Sequence, residues 1–260
     1  MRAVDVGTDA ARALRVQGPG RVRAVFTRAL YLQLPGGLVA LTTTAAPPGP
    51  LHFRVAALPE VRPGRPVLVG AAALCVGRST YPLDAPRWSR GLPTAAALVL
   101  ARETAREWLP DRGPALDLGS ANTAVLPADA LRALHRGALL DVAALIGGRG
   151  PGLTPAGDDV LAGVLLAARA LGGRSPRMLL RCALLAPTND IARAFLVSAA
   201  HGRCIEPAHD LLAGLAAADQ AAVRSALDRL RGFGSSSGAA LAYGVRTALL
   251  ELPPPVELNV

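Results

Sequence analysis

From Arg21 to about Gly77 the chain alternates between apolar and polar positions, as a half-buried strand does. In VRAVF, Val22, Ala24 and Phe26 share one face, and in LYLQL, Leu30, Leu32 and Leu34 do the same. Pro35-Gly36-Gly37 then supplies a turn and LVALTT returns, which predicts a hairpin. LHFRVA puts Leu51, Phe53 and Val55 inward and His52 and Arg54 outward, while PVLVGAAALCVG is apolar throughout, like one central strand. TTTAAPPGP and PEVRPGRP have the composition of loops, and STY (Ser79 to Tyr81) falls in another. About five or six short strands with no helix between them predict a small antiparallel sheet or barrel.

After about Pro93 the period becomes helical. TAAALVLARETAREWL reads as a helix, residues 110 to 126 as a loop, and Pro127 opens a helix through LRALHRGALLDVAALI. Thr154-Pro155 opens the next helix, and further helices are expected near 176–185, 188–200, 206–216, 219–231 and 236–251, before the prolines of ELPPPVELNV end the pattern. The fold class is therefore α+β. A β-rich domain over residues 1–92 is followed by a helical bundle over 93–260, and the bundle carries the glycine-rich loop.

That loop lies in GGRGPGLTPAGDDVLAGVLL, residues 147–166. Thr154 suits an N-cap and Pro155 the first helical position. The first turn of a helix leaves amides unpaired, and the dipole adds partial positive charge there. With bare glycines before it, such a turn makes an anion pocket. Gly150, Gly152, Leu153, Thr154 and Gly157 are the expected cradle. A weak repeat is also visible: TPAGDDVLAGVLLA from Thr154 aligns with SSSGAALAYGVRTA from Ser235, matching Gly157 to Gly238 and Gly163 to Gly244. Ser236, Ser237 and Gly238 thus form a second candidate cradle, or only a second helix start.

Asp158 and Asp159 carry the candidate chemistry. Neighbours on a helix point about 100° apart, so the two cannot simply chelate one point. Either one or both only favour the helix start electrostatically or hydrogen-bond to the glycine loop, or one faces the pocket and accepts from an amide or ammonium group, or holds magnesium shared with a phosphate. A carboxylate beside an anion site repels it, so a ligand with both polarities is favoured. No motif demands a cofactor or a permanent metal, and magnesium stays open. G-x-x-x-x-G-L-T lacks the lysine of a phosphate-binding P-loop, and the chain contains no lysine at all.

Composition narrows the picture further. The net charge of +9 comes entirely from arginine, scattered without a basic run of five, and aromatic residues are only 3% of the chain. That is coding bias rather than a nucleic-acid surface. No apolar run reaches the roughly 18 to 20 residues of a membrane span, and the N-terminus lacks the apolar core of a signal peptide. Cys75, Cys182 and Cys204 fit neither a disulfide framework nor a zinc pattern, so a reducing cytoplasm is the default expectation.

The same residues resemble a known family. GGRGPGLTPAGDDVLAGVLL looks like the hallmark of a bacterial family long known as a domain of unknown function, which includes a subunit of the oxamate carbamoyltransferase of allantoin breakdown. VRAVFTRALYLQLPGGLVALTT is similar to that family's opening, TNDIARAFLVSAAHGRCIEPAHDLL to its middle, and SSSGAALAYG to its late Ser-Gly helix start. Two departures stand out: Ala156 replaces a serine, and Ala239 and Ala240 stand where an acid commonly follows Ser-Gly. The resemblance implies carbamoyl transfer between a phosphate and a small amide such as oxamate, within a complex of other protein subunits. Its substrate would carry phosphate or carboxylate together with amide groups. Two alternatives stay open: a binding or scaffolding subunit without chemistry of its own, or a stand-alone magnesium-dependent enzyme acting on a phosphorylated metabolite.

Overall fold

The computed structural model describes residues 2–111 and 126–253. Most of the expected loop at 110–126, and the proline-rich tail from residue 254, lie outside the described residues. The chain divides into two compact units, Met1–Arg90 and Gly91–Val260, and the fold is α+β.

The first unit is one nine-stranded sheet. Its elements are β1 (Ala3–Gly7), α1 (Thr8–Ala13), β2 (Gly18–Val25), β3 (Ala29–Leu34), β4 (Gly37–Thr43), β5 (His52–Val55), β6 (Pro66–Val69), β7 (Ala73–Val76), β8 (Ser79–Pro82) and β9 (Arg87–Trp88). The strand order is β8-β7-β6-β2-β3-β4-β5-β1-β9. Most neighbours are antiparallel, as expected, but β4–β5 and β1–β9 are parallel. A parallel pair needs a crossover instead of a tight turn, and the Pro-rich stretch after Thr43 provides the first one. Val22, Leu30, Leu32, Val39, Leu41, Phe53, Val67, Leu74 and Tyr81 share one buried cluster. Asp5 and Arg54 pair across β1 and β5.

Leu30, Leu32, Leu34, Leu51, Phe53 and Val55 are buried as the alternation predicts, but other positions differ. His52, expected to point into solvent, is buried, and its Nδ1 lies 2.8 Å from the Pro47 carbonyl. That burial pushes its pKa down to about 4. Phe26, expected inward, is 48% exposed, because the β2–β3 register slips between Val22 and Ala24 and a bulge turns the end of β2 outward. The apolar run at 66–77 is a hairpin of two strands, not one, closed where the Gly70 N–H donates to the Ala73 carbonyl at 2.9 Å. Tyr81, expected in a loop, is a fully buried residue of β8 whose hydroxyl donates to the Ala57 carbonyl.

The second unit is helical: α2 (Ala95–Leu100), α3 (Arg102–Trp108), α4 (Ala128–His135), α5 (Leu139–Ile146), α6 (Ala156–Leu171), α7 (Pro176–Leu185), α8 (Asp190–Ala200), α9 (Glu206–Ala216), α10 (Gln220–Arg231) and α11 (Ser237–Glu251). The single helix expected after Pro127 breaks at Gly137, whose φ of +70° ends α4. α6 lies at the centre of this unit: Val160, Leu161, Val164, Leu165, Leu166 and Leu171 are fully buried. Alanine and glycine dominate the rest of the helix, so its neighbours approach closely. Among the described residues no helix is long and apolar enough to cross a membrane.

Candidate functional site

The glycine-rich loop rests on the turn between α7 and α8. Asp158, only 3% exposed, accepts from the Gly148 N–H at 2.8 Å and from the Thr188 hydroxyl at 2.5 Å. A Cβ on Gly148 would stand 2.2 Å from the Pro187 carbonyl oxygen, and the residue takes φ +68°, so glycine alone fits. Asn189 donates to the Leu153 carbonyl at 3.0 Å while its Oδ1 caps α8 through the Ile191 and Ala192 amides. Arg193 fixes the same turn from below, donating to the carbonyls of Ala186 and Thr188. Asp158 is therefore a brace inside the protein. Desolvation raises its pKa, opposed by the Thr188 and Gly148 hydrogen bonds. Asp158→Ala leaves a buried N–H and a hydroxyl without their acceptor. It should cost about 2–4 kcal/mol in urea unfolding, and an unchanged midpoint would contradict the bracing role.

The helix start differs from the expected one. α6 begins one residue later, with Pro155 at the cap position and no side-chain cap bond. The Gly157 N–H donates to the Arg149 carbonyl at 2.8 Å, and those of Asp158 and Asp159 donate to the Pro155 carbonyl at 2.9 and 3.1 Å. These three amides are thus engaged within the chain, and an anion reaches them only by displacing carbonyls. Gly150 and Gly152 take φ of +110° and +92°, and beside Gly152 a Cβ would meet open space. Leu153 is 37% exposed.

Thr154 turns instead toward the other copy of the repeat. Its Oγ1 lies 3.4 Å from the Ser237 Oγ, at the start of α11. From there α6 and α11 run side by side in the same sense. A Cβ on Gly163 would stand 2.2 Å from the Leu241 carbonyl oxygen, and one on Gly244 would stand 2.0 Å from that of Val160. The two earlier glycines also have matching roles. Gly157 packs on the Ile146 carbonyl, at the end of α5, and Gly238 on the Leu230 carbonyl, at the end of α10. The repeat is therefore two similar helix–loop–helix units whose long helices are joined through glycine and whose N-termini meet.

Asp159 sits at that meeting point. Its Oδ2 is buried and has no hydrogen-bond partner among the described residues. Burial pushes its pKa up to about 7, against a hydrogen bond from the Ser237 side chain and with the Asp158 charge adding to the rise. The Cys204 thiol, between α8 and α9, is pushed up to about 12, chiefly by burial and also by the charge of Asp159. The Cys204 N–H donates to Nε2 of His209, whose Nδ1 lies 3.1 Å from the Gly91 carbonyl. With Nε2 accepting, Nδ1 holds the proton, and His209 is a neutral strut. Thr154, Asp159 and Ser237 thus come together, while Asp158 and Gly148 face the α7–α8 turn. Ser236 is the cap residue of α11 without a side-chain cap bond, and the Gly238 N–H donates to the Phe233 carbonyl at 3.1 Å. Among the described residues no group of three His, Cys, Asp or Glu is placed to hold a metal.

The sequence reading missed Thr188, Asn189, Arg193 and Cys204 as parts of this arrangement. Their only signal was the family-like segment beginning at Thr188, because nothing in their spacing points to the glycine loop.

Residues 145–249 match the family model described as oxamate carbamoyltransferase subunit AllH. Over this segment, about two fifths of the chain, the protein is similar to that family. The match starts in the last turn of α5 and ends in α11. It thus takes in both glycine-marked helix starts of this chain and the turn that braces the first. No solved structure matches the chain.

Proposed function

We propose that the chain is the small-amide-binding subunit of a carbamoyltransferase complex that moves a carbamoyl group between phosphate and oxamate or a related metabolite. The observation that carries this reading is the convergence of Thr154, Asp159 and Ser237, from two helix starts, within the segment that matches the AllH family. The chemistry is consistent with it. A carbamoyl or amide group offers N–H donors and a carbonyl acceptor on one planar unit, and two hydroxyls backed by a carboxylate complement both. A second anion at the same spot would meet the charges of Asp158 and Asp159. Phosphate is therefore better held by the exposed part of the glycine loop or by another subunit.

The test is carbamoyl-phosphate formation from oxalurate and phosphate. It compares the chain alone with the chain together with the subunits it co-purifies with, each with and without magnesium. The expected result is activity in the complex that is lost when Ser237→Ala replaces the wild type. A complex that binds oxalurate and phosphate but forms no carbamoyl phosphate would overturn the carbamoyltransferase assignment.

A further inference from the structure

Resting on that reading, we infer that Ser237 is the residue that meets the substrate's amide, and that Asp159 acts behind it as a positioning residue that sets which way the Ser237 proton points.

Asp159 Oδ2 is buried and has no hydrogen-bond partner among the described residues, so that oxygen is not what a ligand touches first, and Asp158 is spent on Gly148 and Thr188. Ser237 and Thr154 are only partly buried, and their hydroxyls adjoin. When Asp159 is ionised, Ser237 must donate its single proton to it, because a carboxylate only accepts. The lone pairs of Ser237 are then free to take an amide N–H, and the neighbouring Thr154 hydroxyl can donate to the amide carbonyl. When Asp159 is protonated it becomes the donor, the Ser237 proton is released, and the polarity of the site reverses.

The groups facing Asp159 do not override this logic. Asp158 on its own helix repels a second negative charge, while the Cys204 thiol, held up to about 12, stays neutral through the working range. The Arg193 charge acts on Asp158. The site should therefore discriminate a primary amide from a carboxylate of the same size, and should do so best above neutral pH.

Oxamate and oxalate are the probes, since they differ by one amide in place of one carboxylate. Calorimetric titration of the full chain should give oxamate binding at pH 8 at least about tenfold tighter than oxalate. Oxamate binding should weaken about tenfold between pH 8 and pH 6, as Asp159 with a pKa of about 7 takes up its proton. Asp159→Asn, which cannot titrate, should flatten that pH dependence. Ser237→Ala should abolish the preference for oxamate and Ser237→Thr should restore it, with circular dichroism confirming that each variant is folded.

Equal binding of oxalate, no detectable oxamate binding by the wild type, or the same pH dependence in Asp159→Asn would each overturn the inference. A complex that transfers carbamoyl groups while the chain fails this discrimination would overturn the inference alone. Discrimination without transfer in any complex would overturn only the proposed function.

Discussion

Gly163→Ala should destabilise the helical unit by forcing its two central helices apart. The Cβ would stand 2.2 Å from the Leu241 carbonyl oxygen and 2.8 Å from the Val245 nitrogen, both backbone atoms of α11. No side-chain rotation relieves a clash with backbone, so α6 and α11 must separate. That opens a seam through fully buried Val160, Val164, Val245 and Ala248. In isolation alanine is the better helix former by about 1 kcal/mol. Here that gain is outweighed by overpacking, which costs about 1–3 kcal/mol in ordinary cores and more where backbone must move. A net loss of about 3 kcal/mol, seen as a fall in Tm of roughly 6–12 °C, is expected for a domain of this size. The same separation moves Thr154 away from Ser237, so oxamate binding should fall with it. A Tm within about 2 °C of wild type would contradict the close crossing.

Asp159→Asn should do the opposite and stabilise the protein above neutral pH. Burial raises the folded-state pKa of Asp159 from 3.8 to about 7. Between those values the folded protein holds a proton that the unfolded chain has released. Stability from this group is therefore fully present below about pH 4 and is lost as pH rises through about 7. Asparagine has the same shape and no charge to desolvate. At pH 8 the variant should gain stability on the order of a few kcal/mol, and the gain should vanish below about pH 4. Urea unfolding of both proteins from pH 4 to pH 8 measures it. A variant less stable than wild type at pH 8 would mean that the carboxylate is held by favourable partners, not by strain. A buried acid that destabilises the free protein, retained at the start of a long helix, is the pattern expected of a functional group.

Several features of the site were legible from residue pattern alone. Glycine before Thr-Pro marks a helix start because few other residues tolerate the turn, and it placed α6 within one residue of its observed beginning. The pairing of Gly157 with Gly238 and of Gly163 with Gly244 was visible as a weak repeat, and each pair has matching contacts in the fold. The long helices were readable from their apolar period. A hydrogen bond from the glycine loop to an aspartate was among the expectations, but which of the two accepts it was not legible. Adjacent residues with the same side chain differ only in which neighbour the 100° step turns them toward, and those neighbours, Thr188 and Ser237, are 30 and 78 positions away in the chain. The exposed amides expected at the helix start were also misjudged. Local sequence gives the donors, but not the Arg149 carbonyl that folds back to take one of them.

By itself the sequence determined an α+β chain, the change from a two-residue to a helical period near Pro93, and glycine wherever two backbones had to approach closely. Each of these follows from local sterics or from which positions must leave water, and both are properties of short windows. Only the tertiary structure decided that Asp158 is a brace and Asp159 a buried, strained carboxylate, that His52 faces protein and not solvent, and that two distant helix starts meet. Those outcomes depend on which surfaces come together across the fold, and burial alone then sets the cost of the charge on Asp159.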